Sequence, residues 1–511
     1  MSGPLAEEPS ESSTVGARAR EDLGAEPAPL VTVLSAWAAE LRLDNVPERV
    51  VALATSQVIA QLAAIRAGLR HSAGTKLVRA FGPPLQSDPR RSAAVLAMLG
   101  SWLNLDDTAY AGHLAPSTVA VPLAYAHAGR RDGRTLLTAV IAANECAARI
   151  TAAATLGPLR GQSALHTHLA GAVAGRLSSE GAPARRWADA FGLAFASPPW
   201  PVMHAFLGGD AKFVHVLAPV RSAMDACDAA YAGLTGMPDI MEHAHGFLAR
   251  FATVPLPEVI TAGLGLHWHT ETLSFKVRPG GPGIDAAVDC ALELHPLLGG
   301  APIAEVEVGA SAYTLFAGRQ AARYLAGPRT PISALLLSTA YPVATALLTG
   351  DLTVEDFDLP AMRDPARWAL ADRVRLVHDP RMTSALFGSV APFGAALRQA
   401  GEPGLAWLRD FAGDQVAILG PPGDGGSHDF TSASKATPAR VTVRLVDGRT
   451  FSRERDIPIG SAGPDTRRRH RQLVREKFLA QGGEPAVADE LNGLAELPAE
   501  RLNRLLADAL R

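Results

Sequence analysis

Four short segments place chemistry-bearing side chains inside text that is otherwise rich in Ala and Leu. The first runs from Asn104 through Asp106, Asp107 and Thr108 to His113, Pro116 and Ser117. The second carries Arg160, Gly161 and Gln162 ahead of His166 and His168. The third is Gly208-Gly209-Asp210-Ala211-Lys212 with His215, and the fourth Lys276-Val277-Arg278-Pro279-Gly280-Gly281. Lysine, arginine and histidine in such settings suit fixed positive charge and proton transfer near neutral pH. Each segment also has an ordinary structural reading. Asp106–Thr108 fits a helix cap, Lys212 a solvated lysine, and His166 and His168 hydrogen-bonded core histidines.

Other chemistries find no pattern. The chain has no GxxxxGK(S/T) phosphate loop, no GxGxxG after a strand, no HExxH and no GxSxG elbow. His243-x-His245 and His267-x-His269 lack a carboxylate or cysteine at ligand spacing, so neither a metal nor another cofactor is expected. Cys146, Cys227 and Cys290 form no CxxC pair, which excludes a disulfide scaffold and fits a reducing cytosol. With 48 Lys+Arg against 51 Asp+Glu, the net charge of -3 argues against a nucleic-acid partner or a polybasic membrane binder. The basic run Arg467–Arg471 reads as a solvated helix face.

The elements that must position these groups follow from texture. Of 511 residues, 48% are hydrophobic and 19% charged, ample for large cores and incompatible with a wholly disordered chain. Three- and four-residue apolar spacing predicts helices at 35–43, 50–69, 91–103, 119–128, 134–156, 170–179, 182–194, 212–232 and 242–251. Their richness in Ala predicts close packing of small residues in several layers. Beyond Leu264, alternation predicts strands at 272–277, 304–308, 374–377 and 441–445, the last turning at Asp447-Gly448 into a return strand over 449–457. Helices are expected at 284–294, 332–348 and 363–371, and Gly420–Pro438 reads as a flexible surface loop. The uncharged stretch 330–350 is long enough to span a bilayer, but reads as a helix buried in a soluble, cytoplasmic protein. Nothing else looks like a second span. The expected organisation is a disordered tail over 1–29 with no signal peptide, a helical domain over 30–263, an α+β domain over 264–457, and a helical return over 458–511.

Together the four segments resemble the MmgE/PrpD family, which includes 2-methylcitrate dehydratase, cis-aconitate decarboxylase and iminodisuccinate epimerase. The resemblance rests on Asp106-Asp107-Thr108, His113 with Pro116-Ser117, Gly208/Gly209-Asp210-Ala211-Lys212, Lys276 with Pro279, and Ser338-Thr339-Ala340-Tyr341, all in the family's order. It implies a mainly α fold: a large all-helical domain built from both chain ends, an inserted α+β lid, and an active site between them. It also implies a homodimer acting on a small polycarboxylate. Removing a proton α to a carboxylate puts charge on that carboxylate, which fixed cations and donors must meet. Lys212, Lys276, Arg278 and Arg160 suit the cationic field, and His113, His166 or His168 the proton transfer. Thr108, Asn104, Asp107 and Tyr341 suit substrate orientation or proton shuttling.

The departures sharpen the expectation. Asn104 stands where the dehydratase and decarboxylase branches carry Asp, and the His-Pro-Ser element is stretched from His113 to Ser117. Gly280-Gly281 replaces the decarboxylases' histidine, and His166-Thr167-His168 replaces a single histidine followed by Pro. The pattern looks closest to the iminodisuccinate epimerase branch, acting on a polycarboxylate or amino-dicarboxylate without a cofactor. The alternatives are a dehydratase or decarboxylase, or a repurposed cyclase or binding protein.

Overall fold

Helix formation along the first half follows its Ala, Leu and Ile content, with polar caps at the starts. Asp132 accepts from Thr135 N at 2.9 Å to open the helix Gly133–Ala153, and Asp88 accepts from Arg90 N at 3.0 Å to open Pro89–Ser101. The computed structural model describes residues 27–109, 112–157, 165–200, 202–281, 283–413 and 429–511. The helix Glu48–Arg70 lies among Pro89–Ser101, Gly133–Ala153 and Pro464–Ala480, so the chain end packs on the first helices. Leu165–Glu180 fills the groove between Gly133–Ala153 and Val214–Tyr231. The expected small-residue packing is present. A Cβ on Gly68 would lie 2.2 Å from the Leu99 carbonyl oxygen, so only glycine permits that crossing.

The second half builds a mixed sheet of β3 (Ile303–Ala310), β4 (Val374–His378), β5 (Ala439–Leu445) and β6 (Thr450–Arg455), in the order β4-β3-β5-β6. A separate two-stranded ladder joins β1 (Asp107–Thr108) to β2 (Ser274–Phe275). β3 pairs parallel to β4 and antiparallel to β5, and β5 turns through Asp447-Gly448 into β6. Alternation sets the faces: Ala439, Val441, Val443 and Leu445 are buried under the helix Asp285–Leu298. The protein is mainly α with an α+β region, as the sequence predicts.

Several elements differ from expectation for identifiable reasons. The helix expected over 332–348 breaks into Ile332–Leu337 and Ala340–Thr349. Pro342 has no N–H for the Ser338 carbonyl, and its ring would strike it. The strand expected over 272–277 shrinks to Ser274–Phe275 because His269–Thr272 forms a tight turn. The helix expected over 242–251 is only Phe247–Phe251. Lys212 sits in the turn Ala211–Phe213 ahead of Val214–Tyr231, not in the helix. Of the loop expected over 420–438, residues up to 428 lie outside the described ones. The rest is not a surface loop, since Phe430, Ala433, Lys435 and Thr437 are buried. The broken 330–350 stretch is not one span. Two other helices, Glu48–Arg70 and Gly133–Ala153, are long and apolar enough to cross a membrane, but 83% and 94% of their apolar windows are buried inside the fold.

One clamp fixes where the chain leaves the helical body for β2. Glu145 and Arg149, both fully buried on Gly133–Ala153, pair at 3.5 Å. Glu145 accepts from His269 N at 3.0 Å and from Thr270 N and Oγ1 at 2.9 and 2.8 Å. Arg149 donates to the Ala262 and His267 carbonyls at 2.6 and 2.8 Å. Removing one partner leaves a buried charge unmatched, so Glu145→Ala is expected to lower stability in urea unfolding by about 3–5 kcal/mol.

Candidate active site

The short β1–β2 ladder is the frame of the site. It pairs Asp107 with Phe275 and Thr108 with Ser274, which sets the loop Asn104–Asp106 beside Lys276. Two further passes of chain complete the frame. Phe275 N donates to Gly460 O at 2.7 Å, Ala462 N to Ser274 Oγ at 2.9 Å, and Lys435 N to Ala462 O at 2.9 Å. Gly460 has φ +84, and a Cβ there would lie 2.0 Å from Phe275 O, so this approach requires glycine.

Asp106 is the electrostatic centre. It is fully buried, and its Oδ2 accepts from His113 Nδ1 at 2.8 Å. Burial alone would raise its pKa, but His113, Lys212 and Lys276 outweigh that and hold it below the usual carboxylate range. An ionised Asp106 can only accept, so His113 carries its hydrogen on Nδ1 and keeps Nε2 as the basic nitrogen when neutral. His113 is part-exposed, with 26% of its side chain accessible. Asp107 behaves oppositely. Its Oδ1 accepts from Leu114 N and Ala115 N at 3.2 and 2.9 Å, and its Oδ2 from Gln57. Burial pushes its pKa up to about 7 despite those hydrogen bonds. Asp107 therefore holds the chain turn that presents His113.

Four lysines surround this loop. Lys212 donates to Asn104 Oδ1 at 2.6 Å, Lys435 to Thr108 Oγ1 at 2.9 Å, Lys276 to Gly280 O, and Lys477 to Leu105 O. Asn104 adopts a left-handed φ of 49, which an asparagine tolerates well, and so offers its amide oxygen to Lys212. All four lysines are buried, with 4–8% of each exposed. Each rests on a neutral oxygen, and no lysine forms an ion pair within 4.0 Å among the described residues. Burial pushes Lys212 and Lys435 down to about 8 and Lys477 down to about 7. Lys276 adds repulsion to each, while Asp106 opposes the shift at Lys212 and Lys477. A lysine whose folded pKa is lowered destabilises the fold below that pKa, and the penalty fades as pH climbs toward its unfolded value. An anion bound among the four would relieve it at neutral pH.

Of the other expected residues, His168 joins the site and three do not. His168 is buried with Nδ1 3.4 Å from Ser117 Oγ. Burial, then His113, hold it down at about 3, so it stays neutral. His166, two residues earlier on the same helix, turns away. It packs 4.6 Å from Phe251 and 5.5 Å from Phe247, with both nitrogens unpartnered among the described residues, and burial holds it near 3. Tyr341 belongs to the core of the α+β region, 4.8 Å from Trp368, with its hydroxyl donating to Asp356 O at 2.8 Å. Arg278 is taken by Asp289 at 2.7 Å and lines, together with Lys477, a cleft of about 360 Å³. Arg160 lies outside the described residues. Among the described residues no group of three or more His, Cys, Asp or Glu could hold a metal ion.

Sequence reasoning overlooked Asp106 as the charged partner, and it overlooked Lys435 and Lys477 altogether. A signal was present. Only five of the 48 basic residues are lysines, and the fifth, Lys76, is exposed on a surface helix. A chain that otherwise uses arginine for surface charge kept lysine for this loop.

Comparison with known families gives two matches in chain order. The MmgE/PrpD N-terminal domain matches residues 32–259, and the MmgE/PrpD C-terminal domain matches residues 281–393. The chain belongs to the MmgE/PrpD family. Members of the MmgE/PrpD family are generally enzymes, among them dehydratases, other lyases and epimerases. A comparison with curated proteins gives no match. Lys212 falls inside the N-terminal match, Lys276 between the two, and Lys435 and Lys477 beyond both.

Proposed function

We propose that this MmgE/PrpD protein removes a proton α to a carboxylate of a small polycarboxylate or amino-dicarboxylate and returns it as an epimerase. The observation that carries the reading is the set of four buried ammonium groups on neutral oxygens around the Asp106–His113 pair. Buried charges normally find a partner of opposite sign. Here the partner is a ligand with several carboxylates, and the same cations stabilise the charge that develops when its α-proton leaves. Asn104 supports this directly. A carboxylate at 104 would neutralise Lys212, whereas the amide oxygen orients the ammonium and leaves its charge for the substrate.

His113, backed by Asp106, is the base, and its Nε2 takes the proton. Lys212, brought near 8 by burial, is a second group able to give or take a proton close to neutral pH. Two such groups suit removal from one face and return to another. The test is incubation in deuterated buffer with a panel of di- and tricarboxylates and amino-dicarboxylates, followed by proton NMR. Deuterium at the α-carbon with substrate otherwise regained is the expected result. Exchange with no member of the panel would overturn the reading. A new ultraviolet absorbance from an unsaturated product, or released carbon dioxide, would assign the reaction to a lyase.

A further inference from the structure

Lys435 reaches the site from a part of the chain that neither family match covers, 327 residues away from its partner Thr108. Its segment is held firmly. Lys435 N donates to Ala462 O at 2.9 Å, Ala391 N to Ser434 O at 3.1 Å, and Ala436 N to Ser389 Oγ at 2.8 Å. Both ends of the side-chain contact are buried, Lys435 at 8% and Thr108 at 4% exposed. An ammonium group can only donate, so Thr108 Oγ1 must accept at this contact. That leaves the Thr108 hydroxyl hydrogen to be donated elsewhere, and among the described residues Oγ1 makes no hydrogen bond as a donor.

We propose that Lys435 is a positioning residue that acts through Thr108, its ammonium occupying Oγ1 so that the hydroxyl hydrogen is delivered to a carboxylate of the bound substrate. This rests on the polycarboxylate reading above. A hydroxyl that accepts from a cation is a stronger donor to an anion, so the pair passes positive charge to the ligand at one remove. The charged groups facing Lys435 are Lys276 and Asp285, which act on it in opposite directions. Burial brings Lys435 to about 8, so it loses its proton as pH rises through that value. A neutral amine there can accept from Thr108, which would swing the hydroxyl hydrogen away from the substrate.

The test compares full-length wild type, Lys435→Met, Lys435→Arg, Thr108→Val and the Lys435→Met/Thr108→Val double variant. α-Deuterium exchange and calorimetric binding of citrate are read for each, with thermal melting as the check on folding. Lys435→Met is expected to slow exchange by about 100-fold in the wild-type background. In the Thr108→Val background its further effect should be below about threefold, because the two changes share one interaction. Lys435→Arg, charged at all working pH values, should retain exchange and move its alkaline limb to higher pH. Independent, multiplicative losses, or an alkaline limb unmoved by Lys435→Arg, would overturn the proposal. If wild type exchanges no polycarboxylate proton, the epimerase reading fails, and citrate affinity across the same variants decides this proposal by the same non-additivity. If Lys435→Met does not melt cooperatively, the Lys435→Arg limb decides it.

Discussion

His113→Gln is expected to slow α-deuterium exchange by about 100- to 10,000-fold, the range for losing a positioned base. Citrate binding should change little. The reasoning begins with Asp106, whose ionised carboxylate accepts from Nδ1 at 2.8 Å and so fixes the imidazole tautomer. The basic Nε2 is the atom lost in the substitution. Gln retains an N–H to offer Asp106, and Lys212 and Lys276 still face that carboxylate, so the loop keeps its charge balance. His113 is also the part-exposed member of the pair, and truncating it leaves no large buried void. NMR exchange rates and calorimetric affinities measured on the same preparation separate the two effects. A loss of affinity as large as the loss of rate would make His113 a binding residue.

Lys212→Met is expected to slow exchange by about 100- to 1,000-fold, the usual consequence of removing one donor to a developing oxyanion. Met matches the stem of lysine, so packing beside the Phe206 ring, 5.6 Å from Nζ, is largely kept. Two signatures accompany the loss. Citrate affinity falls, because one of four cations is gone. The Asp106 carboxyl also titrates at higher pH in this variant, because Lys212 is one of three groups holding it low against its burial. A rate loss without that rise would mean that Lys212 touches substrate but does not feel Asp106.

Much of the scaffold was legible because it is written locally. Ala- and Leu-rich spacing marked the helices, and the alternation of Val441, Val443 and Leu445 marked β5 with its Asp447-Gly448 turn. The loop Asn104–Thr108 was legible as polar text in an apolar setting. Helix phase was not: His166 and His168 differ by two positions, and only the packing of Phe247 and Phe251 shows which turns inward. Tyr341 sat in a motif by sequence, but the helix break at Ser338 and the Asp356 carbonyl direct it into the core of the α+β region. Lys435 was hidden in Gly- and Ser-rich text that reads as a loop, and Lys477 in a basic helix that reads as a solvated face. Their contacts span 327 and 372 residues, which no local pattern encodes.

The most direct test of the lysine cluster is calorimetric titration of citrate into the full-length protein near pH 8, in two buffers of different ionisation enthalpy. Lys212, Lys435 and Lys477 are partly uncharged there. A polyanion among them raises their pKa values, while citrate itself is already fully ionised. Binding should therefore take up about one to two protons per site, an uptake that shrinks as pH falls toward 6. Absence of binding, or binding with no proton uptake, would contradict the assignment of these four buried lysines to a polycarboxylate site.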